Sequence, residues 1–121
     1  QVMNMALMSA LANQSFAQIR ADPEQWGHWV ESAIGAHLIN TSIEHGFELF
    51  YWRERGREVD FVVRYQGRLL AIEVKSHHRK TALPGMDAFV KAFNPGKILL
   101  VGGGGLDIEQ FLSMDVKQWL P

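Results

Sequence analysis

The stretch "GREVDFVVRYQGRLLAIEVKS", residues 56–76, predicts two apolar strands joined by a tight turn at Gln66-Gly67. Glycine supplies the positive φ that such hairpin turns favour. A turn centred there places Asp60 of the first strand directly opposite Glu73 of the second. Strand interiors are poor in Asp, Glu and Lys. The two facing carboxylates therefore need a physical explanation.

Side chains alternate along a strand, so the same register predicts two different faces. It pairs Tyr65 with Arg68, Val62 with Ala71, and Glu58 with Lys75. One face is expected to be wholly apolar and to consist of Val59, Phe61, Val63, Leu70, Ile72 and Val74. The other is expected to carry Glu58, Asp60, Glu73 and Lys75. A slip of one residue would expose the apolar set to water, so the register is well specified.

Carboxylates that face each other across a ladder lie about 4.5–5.5 Å apart at Cβ and destabilise the sheet. Either one of them keeps its proton through a raised pKa, or a cation lies between them. Magnesium suits the second option, because it is commonly held by one or two carboxylates and keeps room for water and phosphate. Lys75 would add a positive charge beside such an ion. The alternative is a solvated sheet face on which Glu58 pairs with Lys75.

Length and composition predict one domain over residues 1–121, with 47% apolar and 21% charged residues. The absence of cysteine excludes a disulfide framework, a thiolate zinc site and a cysteine nucleophile. No apolar run approaches the length of a membrane span, and the start of the chain lacks the basic residues of a signal peptide. We therefore expect a cytoplasmic protein without a membrane partner. The initial Gln suggests a piece of a longer chain.

Basic residues are concentrated around the carboxylate pair, although the net charge is −1. Eight of the twelve lie between residues 51 and 80, namely Arg53, Arg55, Arg57, Arg64, Arg68, Lys75, Arg79 and Lys80. His77 and His78 belong to the same stretch. A site that handles phosphates would have such surroundings. A solvated basic face is the alternative interpretation.

The flanking sequence predicts helices before and after the hairpin. A short strand is expected over 1–5 and a helix over 6–19. A long helix then begins after Asp22, a suitable N-cap, with Pro23 at its first position and Gly46 at its end. "FELFYWRE", residues 47–54, predicts a strand that pairs Trp52 with Val59 and Phe50 with Phe61.

The second half of the chain predicts a helical crossover. A helix over 86–93 is followed by the apolar run "KILLV", residues 97–101, which is typical of a buried strand parallel to its neighbour. The four glycines at 102–105 are expected to form a flexible connection. They are no phosphate-binding loop, because no Gly-Lys-Ser/Thr follows them. A final helix is expected to end near Trp119.

These elements give an αβββαβ core with a mixed sheet, in which a three-stranded antiparallel meander is extended by one parallel strand. With "EVDFVV", "AIEVK" and Glu31 on the long helix, the chain resembles the PD-(D/E)xK nuclease superfamily of restriction-endonuclease-like folds. It resembles most closely the domain found C-terminal to the ATPase module in uncharacterised prokaryotic AAA-type ATPases. The resemblance covers about residues 22–101. It implies one nuclease-like domain at the C-terminal part of a longer ATPase chain.

The resemblance also implies roles for individual residues. Asp60, Glu73, Lys75 and Glu31 would be catalytic, and Asp60, Glu73 and Glu31 would bind Mg²⁺ or Mn²⁺. Asp60 follows Val59 where the family motif has Pro. Residues expected to bind nucleic acid are Arg53, Arg57, His77, Arg79 and Lys80.

The implied activity is metal-dependent hydrolysis of phosphodiester bonds in DNA. The nuclease fold is widely reused, and a fold does not fix a function. The alternative is therefore a catalytically silent module that helps the ATPase to bind DNA or to assemble. The sequence leaves the oligomeric state open.

Overall fold

The computed structural model describes residues 16–75 and 83–121. The elements in chain order are α1 (Phe16–Ala21), α2 (Pro23–His45), β1 (Glu48–Glu54), β2 (Arg57–Tyr65), β3 (Arg68–Lys75), α3 (Pro84–Phe93), β4 (Lys97–Gly102), α4 (Ile108–Ser113) and a 3-10 turn (Val116–Gln118). The predicted αβββαβ order is confirmed from α2 to β4. The strand expected over 1–5 and most of the helix expected over 6–19 lie outside the described residues.

The four strands form one mixed sheet in the order β1-β2-β3-β4. The first three are antiparallel neighbours, and β4 lies parallel to β3. Tyr65 pairs with Arg68 and Val62 with Ala71, as the sequence predicts. Gln66 and Gly67 have φ of 52° and 78°, and two positive φ values match the right-handed twist of a hairpin.

The long helix α2 begins and ends where its capping residues predict. The Asp22 side chain accepts hydrogen bonds from the backbone N–H groups of Glu24 and Gln25, at 3.0 and 3.3 Å. Gly46 adopts a left-handed conformation and donates its N–H to the carbonyl of Ser42. These contacts satisfy backbone groups that a helix end leaves unpaired.

Helices cover both faces of the sheet, so each face contributes to the core. On the α2 face, buried helix residues pack with the strands and with the C-terminal segment: Val30, Ile34, Leu38, Val63, Leu70, Ile72, Val101, Phe111 and Trp119. On the α3 face the buried residues are Val59, Val62, Ala71, Met86 and Phe89. The prediction of one apolar and one polar face is therefore wrong. Val59 lies on the opposite face from Val63, and Val62 and Ala71 are buried on the face expected to carry the four charged residues.

A β-bulge between β1 and β2 explains the change of face. Trp52 pairs with Val59 as predicted, but Phe50 pairs with Val62 rather than with Phe61. Tyr51 of β1 therefore lies opposite two residues of β2, Asp60 and Phe61. The extra residue interrupts the alternation of β2 and turns Val59 towards α3.

The glycine-rich segment after β4 forms a compact hydrogen-bonded turn, and its flexibility stays a prediction. The N–H of Gly102 donates to the carbonyl of Leu106 at 2.7 Å, and the N–H of Leu106 donates to the carbonyl of Leu100 at 2.8 Å. Gly102 has φ +76°, and a Cβ added there would meet the carbonyl oxygen of Lys75. Glycine at this position allows β4 to approach the end of β3.

Candidate active site

The carboxylates of Asp60 and Glu73 lie at the point where β2 and β3 stop pairing through their backbones. Phe61–Ile72 is the ladder pair nearest to this end of the two strands. Beyond it, the N–H of Val74 donates to Oδ2 of Asp60 at 2.8 Å, and the N–H of Asp60 donates to Oε1 of Glu73 at 3.4 Å. Each carboxylate thus bonds to the backbone of the opposite strand. The two acids predicted to face each other share one gap between the strands.

Burial changes the protonation of both acids. Glu73 is only 7% exposed. Its burial, followed by the negative charge of Asp60, raises the pKa of Glu73 to about 7, against the opposing influence of Lys75. Burial also raises the pKa of Asp60, although the N–H of Val74 and the charge of Lys75 act in the other direction. The site therefore retains a proton near neutral pH, because two buried negative charges in one gap are unfavourable.

Lys75 provides the positive charge of the site. Its Nζ lies 3.5 Å from Oε2 of Glu73, and 43% of its side-chain surface is exposed, against 9% for that of the glutamate. The ammonium group therefore neutralises part of the charge on Glu73 while staying open to solvent. The sequence brought these two residues to one side of β3 by their spacing of two.

Glu31 approaches the pair from helix α2. Burial raises the pKa of Glu31, and the charges of Asp60 and Glu58 add to this effect. One turn later along the helix, the position of a Cβ on Gly35 would lie 3.5 Å from the ring of Phe61. This is an ordinary van der Waals distance, so α2 packs against β2 at this turn.

Glu58 pairs with Arg53 of β1, which excludes the solvated-face alternative in the form predicted. Nη2 and Nε of Arg53 donate to Oε2 of Glu58 at 3.0 and 3.3 Å. Lys75, the partner expected under that alternative, contacts Glu73 instead. Arg57 is exposed and enters no ion pair with any described residue. Of the other residues expected to bind nucleic acid, His77, Arg79 and Lys80 lie outside the described part of the chain.

An open cleft of about 1020 Å³ lies between α2 and the β1–β2 hairpin. Glu31, Glu58 and Asp60 line it together with Tyr51 and Arg53. The polar helix residues that the sequence analysis missed are His28, Ser32 and Asn40. His28 precedes Glu31 by three residues and Ser32 by four, and Asn40 follows Ser32 by eight. These spacings place the residues along one side of α2 and are the sequence signal that could have found them. The sequence did not show that this side of α2 faces the β1–β2 hairpin across a cleft.

The acids fit a cation held by two carboxylates. Within residues 16–75 and 83–121, no set of three or more His, Cys, Asp or Glu side chains comes together as metal ligands. Asp60 and Glu73 remain as a pair, and magnesium is commonly held by one or two carboxylates with water in its other positions. The role of Glu31 as a third ligand stays a prediction.

A protein-family model described as "Domain of unknown function (DUF4143)" matches residues 26–114. The chain belongs to this family. The matched span of the DUF4143 domain contains Glu31, Asp60, Glu73 and Lys75. Neither the curated proteins nor the solved structures contain a match to the chain. Among the helices described, none is long and apolar enough to cross a membrane.

Proposed function

We propose that this DUF4143 domain hydrolyses phosphodiester bonds in DNA with the help of Mg²⁺ or Mn²⁺. The observation that carries the proposal is the gap between β2 and β3, in which Asp60 and Glu73 each bond to the opposite strand. Lys75 lies 3.5 Å from Glu73 at the same place. This arrangement agrees with the PD-(D/E)xK resemblance, in which the same three residues match the motif.

The electrostatics of the pair favour a bound cation. Burial and mutual repulsion raise the pKa of Glu73, and burial raises that of Asp60, so two charged carboxylates are unfavourable in this gap. A divalent cation between them would offset that cost, so Asp60 and Glu73 would hold the ion, with Glu31 nearby on α2. Such an ion, when bound, polarises the scissile phosphate and lowers the pKa of a bound water.

The chain's own residues would position the reacting groups. The ammonium of Lys75 lies next to Glu73 and is open to solvent, so it can orient a water or stabilise negative charge that develops on the phosphate. Arg57, exposed and without an ion-pair partner in the described part of the chain, can neutralise a flanking phosphate. Arg53 is held by Glu58, so it would have to exchange that partner for a phosphate.

The proposal includes an ATPase partner. The resemblance implies that the domain follows an AAA-type ATPase module in a longer chain, and that ATPase would bring DNA to the cleft. The silent-module alternative keeps the same partner and removes the chemistry. Substitution of Lys75 distinguishes the nuclease from the silent module.

Replacing Lys75 by Ala is expected to abolish cleavage while leaving DNA binding nearly intact. Loss of one group that stabilises transition-state charge commonly costs about 10²–10³-fold in rate, whereas one phosphate contact is a small part of the binding energy. The measurement is nicking of plasmid and cleavage of single-stranded DNA in Mn²⁺. Binding is followed separately by fluorescence anisotropy with Ca²⁺ instead of Mn²⁺.

Two further variants complete this experiment. Lys91→Ala removes an exposed positive charge from α3, outside the cleft, and is expected to cleave at the normal rate. Arg57→Ala is expected to weaken DNA binding and to reduce the slope of log affinity against log salt concentration by about 1. The cleavage rate of bound DNA should change little. If the unmutated domain cleaves nothing, with or without an ATPase partner, yet binds DNA equally well with or without Lys75, the silent module replaces the nuclease.

A further inference from the structure

Tyr51 is an exposed aromatic residue beside the carboxylate pair. It belongs to β1, an edge strand of the sheet, and 74% of its surface is exposed. Because of the bulge, it alone lies opposite both Asp60 and Phe61 of β2. Bulges are common next to active sites, where they redirect side chains. The irregularity that changes the face of β2 therefore also sets the position of Tyr51 relative to Asp60.

Tyr51 lines the same cleft as Glu31 and Asp60. Glu31 and Asp60 contribute carboxylates to this cleft, and Tyr51 contributes an aromatic side chain. Single exposed apolar residues are normal on protein surfaces, but an exposed aromatic residue on the wall of a cleft that also holds carboxylates indicates a ligand with a planar apolar surface.

The opposite wall of the cleft offers hydrogen bonds. His28, Ser32 and Asn40 line it from α2. A flat ring that stacks on one side and carries donors and acceptors at its edge fits such a pair of walls, and a nucleobase has this chemistry. A phosphodiester attached to that base would lie within reach of the acids.

Stacking on Tyr51 requires a base that is free of its neighbours. In a duplex both faces of each base are covered by adjacent bases, so an aromatic side chain can stack only on a base that is unpaired or turned out of the helix. Electrostatic attraction gives the cleft little help, because Glu31, Glu58 and Asp60 lie within it. Stacking supplies the affinity that charge alone does not.

Exposed arginines extend the path for the sugar–phosphate backbone. Arg55 and Arg57 lie at the turn between β1 and β2, and neither enters an ion pair with any residue that the structure describes. Arg55 lies four positions after Tyr51, which is about 13 Å along an extended strand. A single strand that stacks at Tyr51 can therefore follow the hairpin to these side chains.

We infer that the substrate is single-stranded DNA, one base of which stacks on Tyr51 while its phosphate lies at Asp60 and Glu73. The inference rests on the proposed function for the phosphate and on the bulge and cleft for the base. Tyr51 is a substrate-positioning residue in this arrangement, and it selects single strands over duplexes.

The experiment compares Tyr51→Ala and Tyr51→Phe for binding of a labelled single strand and of the matching duplex. Fluorescence anisotropy is recorded with Ca²⁺ in place of Mn²⁺, so that binding is measured without cleavage. Loss of one stacked base is expected to weaken single-strand binding roughly 5- to 150-fold. Tyr51→Phe keeps the ring and is expected to bind normally, and duplex binding is expected to change little in both variants.

Ile43→Ala is the control, since Ile43 is 79% exposed and does not belong to the cleft lining. It is expected to leave single-strand binding unchanged. The inference is overturned if the unmutated domain does not bind single strands. It is also overturned if Tyr51→Ala binds both substrates normally or loses binding to both equally. A selective loss of single-strand binding in a domain that never cleaves DNA supports the stacking site and rejects the proposed hydrolysis.

Discussion

Replacing Glu73 by Gln should stabilise the metal-free domain at alkaline pH and leave it nearly unchanged at acid pH. The side chain is almost fully buried beside Asp60, and glutamine keeps its shape and an oxygen that can accept from the N–H of Asp60. The substitution therefore removes a buried charge without emptying the site. The difference in unfolding free energy between the two proteins isolates the cost of ionising this one group.

The magnitude follows from the pKa of Glu73, which is raised from 4.5 to about 7 in the folded chain. Between these values the folded protein binds more protons than the unfolded one, so the unmutated domain loses stability as pH rises. At about 1.36 kcal/mol per pKa unit, the loss reaches about 3 kcal/mol above pH 7. For a chain of this length that is roughly 10 °C in Tm.

Urea and thermal unfolding, followed by circular dichroism in EDTA at pH 4.5 and pH 8, provide the measurement. Glu73→Gln is expected to unfold at a higher temperature than the unmutated domain at pH 8, and at nearly the same temperature at pH 4.5. Glu109→Gln, which changes an exposed carboxylate on α4, is expected to show no such difference. A Glu73→Gln variant that is less stable at pH 8, or whose advantage is the same at both pH values, would refute the reasoning.

Two other substitutions test the metal and the backbone of the site. Mg²⁺ at 100 times its Kd would stabilise the unmutated domain by about 2.7 kcal/mol. Asp60→Asn should weaken this stabilisation by millimolar Mg²⁺. Without metal, the variant should be at least as stable as the unmutated domain. Thermal melts with and without Mg²⁺ measure this, and an unchanged response in the variant would count against the pair as ligands. Gly102→Ala should lower stability more than Gly46→Ala, although both glycines have φ +76°. Only the first would meet another group, the carbonyl oxygen of Lys75, whereas the second should cost about 1–2 kcal/mol from its backbone conformation alone. Equal losses in urea unfolding would show that β4 does not constrain the end of β3.

Local chemistry made several parts of the structure predictable. The turn at Gln66-Gly67 set the register of β2 and β3, because the loop length and the positive φ of its residues fix which strand positions meet. The ends of α2 followed from Asp22 and Gly46, whose capping contacts involve only neighbouring residues. The approach of Asp60 to Glu73 is a consequence of this register.

The prediction of one apolar and one polar face for the β2–β3 hairpin is wrong because of longer-range contacts. Strict alternation placed Val59 with Val63, but the bulge opposite Tyr51 separates them. Nothing in the pattern of β2 marks that extra residue. It depends on how β1 pairs with β2 while two helical layers pack on the sheet.

The sequence by itself determined which residues lie at the gap between β2 and β3. It also determined which of them oppose each other, because hairpin register is a short-range property. Only the tertiary structure decided that Glu73 is buried, that Arg53 rather than Lys75 pairs with Glu58, and that Tyr51 lines a cleft with Glu31. Burial and cleft formation require α2 to meet the hairpin in space. Desolvation, which gives the carboxylates their unusual pKa values, arises from that packing.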